Sequence, residues 1–235
     1  IDSLKRSGAS QITIVIPYFG YQRQDHVFRS GEAVSLEVII RIFQSLKVDR
    51  VISIDMHSSR IPDLFPSVIQ VTHLSALPLF AEKIRQEGWD TDKTVLVSPD
   101  MGGIRRIKQV AAMLGDMNYI ATEKNRDLET GILDEAKIGE GILKGEKRAI
   151  IVDDMISSGK TIAMASGLLE KNNIREVYTF ATHPVFSPEA PTILTTTSVK
   201  KVFVTDTVFV PEEKRFAKLE ILSMSKVIAG QLQSV

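Results

Sequence analysis

The chain has 235 residues, and its 29 lysines and arginines balance 29 aspartates and glutamates. That length accommodates two modest domains with a core each, and zero net charge excludes a global electrostatic footprint for nucleic acid or an anionic membrane, so any bound anion must be met locally. Cysteine is absent, which excludes disulfides and thiolate chemistry, and no apolar run reaches the length of a transmembrane span, so the expectation is a cytoplasmic protein with neither nucleic-acid nor membrane partners.

In chain order, IDSLKRSGA at 1–9 reads as the tail of a helix stopped at Gly8, with further elements expected upstream. Short β-branched runs follow at 12–19, 50–56, 94–101, 117–123, 148–155, 176–183 and 201–208, alternating with helical stretches near 33–47, 76–87, 103–114, 160–171 and 223–233. This alternation predicts an α/β architecture with mostly parallel sheets. A fresh helix after Thr72-His73-Leu74-Ser75 places a domain boundary there, giving 1–74 and 75–219, with the C-terminal helix at 220–235 returning to pack on the first domain. In parallel sheets ligands sit beyond the carboxyl ends of the strands, and five of these ends carry charge or glycine.

After the first strand, Arg23, Gln24 and Asp25 follow an aromatic turn; arginine offers a planar fork to phosphate or a purine face, and glutamine can read a base edge. A solvated loop is the plain alternative. His57 lies two residues after Asp55, on the same side of an extended chain, where an imidazole could ligate a metal or donate to a phosphoryl oxygen. Asp100 precedes two glycines and a helix start containing Arg105 and Arg106, and could hold Mg²⁺ or a hydroxyl, although such a stretch also makes an ordinary turn. Lys124 and Arg126 stand on a polar stretch running on to Asp127-Leu128-Glu129-Thr130-Gly131; two cations on one flexible loop could close over a polyphosphate. His26, His73 and His183 have no metal-ligand spacing and read as structural.

The fifth strand end, IIVDDMISSGKTI at 150–162, echoes a phosphate-binding P-loop, but Asp154 stands where the first glycine of that motif belongs. The carboxylates Asp153 and Asp154 would repel polyphosphate and suit ribose hydroxyls or Mg²⁺.

Taken in order, IPYFGYQRQD, ISIDMHSSRIPDLF, VLVSPDMGGIRR, EKNR and IIVDDMISSGKT resemble the ribose-phosphate diphosphokinase family, also called phosphoribosyl pyrophosphate (PRPP) synthetases. The resemblance implies two phosphoribosyltransferase-like domains, the first incomplete, and transfer of the β,γ-diphosphoryl group of ATP to the C1 hydroxyl of ribose 5-phosphate with Mg²⁺ in a homo-oligomer. It implies Arg23, Gln24 and Asp25 at ATP; His57 and Asp100 at Mg²⁺, with His57 also at the ATP phosphates; and Lys124 and Arg126 at the transferring group. Asp153 and Asp154 would meet the ribose hydroxyls, with Ser157, Ser158, Gly159, Lys160 and Thr161 around the 5-phosphate and Arg126 assisting. The family's usual Asp-Thr-Gly-Gly-Thr is here Ser157-Ser158-Gly159-Lys160-Thr161, which adds positive charge near the 5-phosphate if lysine tolerates the backbone angle at 160. HVFRSGEAVS at 26–35 is closer to archaeal-type members than to the commonest bacterial pattern. A phosphoribosyltransferase would account for DDMISSGKT but not for RQD or DMHSS, and a catalytically silent regulatory subunit of the family would have no need of His57, Lys124 and Arg126.

Overall fold

The computed structural model describes residues 1–27, 29–126 and 133–233. The chain divides into two compact units, Ile1–Ser75 with Val227–Val235, and Ala76–Lys226.

The first unit opens with helix α1 (Asp2–Arg6), closed where Gly8 takes a φ of +93°, and continues with β1 (Thr13–Ile16), α2 (Ser35–Ser45), β2 (Arg50–Ile54) and β3 (Gln70–Leu74). The three strands form a parallel sheet in the order β1-β2-β3. Every residue of the central strand β2 is buried, as both faces of a parallel strand require. The core gathers Phe19, Leu36, Ile40, Val51, Met56, Ile61 and Phe65, with the Phe19 ring edge-on to Phe43 and Phe65, each at 6.0 Å between centroids. Strand β3 is not among the runs read from the sequence; it ends at Leu74 and exists through its parallel register with β2.

The second unit holds α3 (Leu77–Gln86), β4 (Thr94–Ser98), α4 (Ile104–Met113), β5 (Tyr119–Arg126), β6 (Leu133–Glu140), β7 (Arg148–Ile156), α5 (Lys160–Lys171), β8 (Glu176–Pro184), α6 (Ala190–Thr196), β9 (Val199–Thr205) and β10 (Leu219–Leu222). Its seven strands are ordered β10-β9-β8-β7-β4-β5-β6, all parallel except for the β5/β6 pair. One core cluster runs through Val95, Val97, Ile151, Ile162, Leu169, Val177 and Leu194. Trp89 stacks on Tyr178 at 3.9 Å between centroids, and Phe180 stacks on Phe203 at 4.4 Å. The last helix, α7, spans Ser225–Leu232.

Two differences from the sequence reading concern site residues. Lys124 and Arg126, expected on a loop, belong to β5, because β6 pairs beside them antiparallel, Lys124 opposite Ala136 and Arg126 opposite Leu133. The polar composition of β6 hides it from a hydrophobic pattern, and the expected loop residues 127–131 lie outside the described residues. The second difference is at Asp55, where φ is +36°, so the chain leaves β2 there and the alternation expected to put Asp55 and His57 on one side of an extended strand does not apply.

Candidate active site

In the second unit the strand order reverses between β4 and β7: β5 lies on one side of β4, and β7 with β8 to β10 on the other. In an open parallel sheet this reversal opens a crevice at the strand carboxyl ends, flanked by the two loops that leave in opposite directions. Here those loops carry Asp100-Met101-Gly102-Gly103 after β4 and Ser157-Ser158-Gly159 after β7.

Asp100 caps the short 3₁₀ turn Met101–Gly103, accepting from the Gly103 N–H at 3.1 Å through one carboxylate oxygen. Ser98 donates its hydroxyl to the Asp100 carbonyl at 2.7 Å. A Cβ on Gly103 would overlap Ser98 Oγ and approach Arg106 Nη1 at 3.4 Å, so glycine is what lets α4 begin this close to the strand end. Helix α4 then aims Arg106 back at β7.

Strand β7 runs through the acid pair to Ile156, so Asp153 and Asp154 lie on the strand, within the run expected at 148–155. Arg106 meets both, Nη1 at 3.1 Å from Asp153 Oδ1 and Nη2 at 3.5 Å from Asp154 Oδ2, with all three side chains largely buried. Burial and the adjacent Asp154 charge nonetheless hold the Asp153 carboxyl well above the ordinary carboxylate range, with the Arg106 charge opposing them. Arg106 was visible in the sequence only as an early helix residue. Its partnership with residues 47 and 48 positions away arises from the β4–β7 pairing.

After Ile156 the chain turns through Ser157 and Ser158 to Gly159, whose φ of +78° and ψ of −5° are left-handed, and α5 starts at Lys160. The turn is tied to the segment after β8, where Phe186 N donates to Ile156 O at 3.0 Å and Ser187 N to Ser157 O at 3.1 Å. A Cβ on Gly159 would sit 3.0 Å from Leu194 Cγ. The residue needing positive φ is therefore Gly159, and Lys160 is a normal first helical residue, which removes the distortion the lysine substitution could have required. Thr161 follows it in the first turn of α5. Lys160 is exposed, and Glu189, held below the usual carboxylate range by its own backbone N–H and the Ser187 hydroxyl, also feels the Lys160 charge. That acid offsets part of the positive charge Lys160 brings to the turn.

The first unit presents a second group at its own strand carboxyl ends. Gln22, fully buried, accepts the His57 N–H through Oε1 at 3.0 Å and so joins the loop of Arg23, Gln24 and Asp25 to the turn after β2. That turn is held further by Met56 N donating to His73 Nε2 at 3.0 Å and by Ser75 Oγ donating to Asp55 at 2.7 Å. His73 thus has a structural role. Asp25 contacts His26 Nδ1 at 2.6 Å, the Gln24 carbonyl accepts from Leu36 N at 3.3 Å, and beside them lies a cavity of about 500 Å³ lined by Gln24, His26, Arg29, Glu32, Ala33 and Ser35. Gln22 was missed in the sequence because nothing local marks a buried glutamine.

His57 lies in the first unit and Asp100 in the second. Among the described residues no group of three or more His, Asp or Glu side chains converges on a metal position. His183 is buried against Thr207 Oγ1 at 2.9 Å, a structural contact.

A parallel sheet with an acid pair and a glycine-capped helix start at its switch point defines the phosphoribosyltransferase-like class of α/β fold. Family models match at both ends of the chain: the N-terminal domain of ribose phosphate pyrophosphokinase over residues 1–46, and the phosphoribosyl synthetase-associated domain over 140–235. Ribose-phosphate pyrophosphokinase of Fusobacterium nucleatum subsp. nucleatum is 33% identical over all 235 residues, which cover 72% of that protein. Ribose-phosphate pyrophosphokinase 1 of Streptococcus agalactiae is 34% identical over 97% of the chain and 70% of its own length. The crystal structure of phosphoribosylpyrophosphate synthetase from Mycobacterium smegmatis superposes with a TM-score of 0.89 at 33% identity, over 99% of this chain and 74% of that one. The chain belongs to the ribose-phosphate pyrophosphokinase family.

Proposed function

We propose that this chain makes PRPP and AMP from ribose 5-phosphate and ATP, with the site residues acting as follows. The reading is carried by the Asp153–Asp154 pair beside the Gly159-capped start of α5, at the switch point of a sheet in a chain of this family. Asp153 and Asp154, oriented by Arg106, accept the ribose hydroxyls. Backbone N–H groups and hydroxyls from Ser157 to Thr161 hold the 5-phosphate at the helix start, where the dipole favours an anion. Arg23, Gln24 and Asp25 bind ATP, and His57, with its backbone fixed by Gln22, contacts the ATP phosphates.

The ribose C1 oxygen attacks the β-phosphorus, the α,β-bridging bond breaks, and AMP leaves. Little covalent work falls to the protein, so positioning and charge stabilisation dominate. Lys124 and Arg126 supply positive charge to the transferring diphosphoryl group. Mg²⁺ would be held at Asp100, whose cap uses one carboxylate oxygen, and at His57, and when bound it neutralises phosphate charge. Among the described residues no three such ligands converge, which suits an ion bound mainly through substrate phosphates and water. We further assign the protein to the cytoplasm and to a homo-oligomer.

The test is AMP and PRPP formation from ATP, ribose 5-phosphate and Mg²⁺. Lys124→Ala should lower kcat by roughly 10²–10³ while leaving the thermal midpoint in place. A folded protein that binds both substrates and forms no PRPP would refute the reading.

A further inference from the structure

The edge of the second unit's sheet opposite these strand carboxyl ends carries a feature the reaction does not use. Lys93, Lys147 and Arg175 each precede a strand, β4, β7 and β8 respectively. The backbone steps between them, with Lys147 N donating to Lys93 O at 2.9 Å and Arg175 N to Lys147 O at 3.1 Å. Neighbouring strands lie about 4.8 Å apart, so the three cations form a row about 10 Å long. They line, with Arg148, Asn173 and Glu176, a cavity of about 640 Å³, within the range of small-molecule sites.

The charge in this cavity is unbalanced. Its single acid, Glu176, is taken by Arg148 at 2.6 Å, and Lys93, Lys147 and Arg175 have no ion-pair partner among the described residues. Like charges on neighbouring strands repel. Helix C-termini at this edge favour cations only within the last helical turn, and Arg175 lies beyond the end of α5 at Lys171. Arg148 adds a buried Nε without a hydrogen-bond partner among the described residues. Lys93, Lys147 and Arg175 are exposed, so what an anion in the cavity would relieve is the repulsion along the row.

We propose that this cavity binds a linear oligophosphate, an anion of two or more phosphoryl groups, laid along the Lys93–Lys147–Arg175 row. A single phosphate would reach only part of that row. The proposal stands independently of the catalytic reading, because its residues belong to the amino-terminal edge and the candidate active site to the carboxyl ends.

The chain supplies its own reporter. Trp89 is its one tryptophan, and the Arg148 guanidinium lies 5.6 Å from its ring. Titration of the whole chain with inorganic tripolyphosphate, orthophosphate and ATP, without divalent cations and at constant ionic strength, should be followed by Trp89 emission. Tripolyphosphate should give a saturable change at least about tenfold tighter than orthophosphate. Lys147→Ala combined with Arg175→Ala, at two exposed positions, should weaken it about tenfold or more without lowering the thermal midpoint, whereas Arg41→Ala in the first unit leaves it unchanged. ATP binding tighter than tripolyphosphate, and lost in the same double variant, identifies a nucleotide as the source, whereas tripolyphosphate binding tighter identifies the free anion. No saturable response up to about 10 mM, equal affinity for orthophosphate, or unchanged affinity in the double variant overturns the proposal.

Discussion

Asp153 and Asp154 adjoin on one strand and share a single guanidinium, so one of the two negative charges is poorly compensated. The cost falls on Asp153, whose folded pKa is raised by burial and by Asp154. A carboxyl raised in this way binds its proton more tightly folded than unfolded. Its contribution to stability is fully present below the unfolded value of about 3.9 and is lost as pH rises through the folded one. Asp153→Asn should therefore raise the thermal midpoint at pH 7 while abolishing PRPP formation, and the gain should shrink as both proteins are melted nearer pH 4. A midpoint difference that stays constant with pH would contradict this. The acid pair itself is plain in the sequence. That the two carboxylates repel each other, with Arg106 relieving only part of the cost, is not, since the arginine arrives from helix α4 and only burial makes the repulsion costly.

At the scale of elements, the strand β7, the turn and α5 form a unit in which one residue carries the backbone constraint. Gly159 needs a left-handed φ and also lies against Leu194. Gly159→Ala should destabilise the protein by about 1–3 kcal/mol and raise KM for ribose 5-phosphate more than it lowers kcat, as read by denaturant melts and steady-state kinetics. A loss under about 0.5 kcal/mol would mean that the turn relaxes freely. This unit was legible almost to the residue, with an apolar run, a glycine and then a helical composition. Strand β6 was not, because its polar residues match no period-two pattern and it exists through pairing with β5. The same pairing moves Lys124 and Arg126 from an expected loop onto a strand, where their backbones are fixed by hydrogen bonds.

Over the whole molecule, one core cluster draws on residues 1 to 71 and another on residues 95 to 219, with no residue in common. A fragment of residues 76–226 should accordingly unfold cooperatively on its own, in a single calorimetric transition, and should retain the proposed oligophosphate site; a broad, non-cooperative melt would show that the second unit depends on the first. The sequence by itself determined the element types, the α/β class, the residues with reactive or phosphate-binding chemistry, and the family they resemble, because these depend on local composition and spacing. Only the tertiary structure decided which of them meet: Arg106 with Asp153 and Asp154, Gln22 with His57, and the cationic row at the far edge of the sheet. The reason is that a parallel sheet joins strands distant in the chain, β4 with β7 and β7 with β8, and the register that aligns their ends is set by burial of both faces rather than by any local signal.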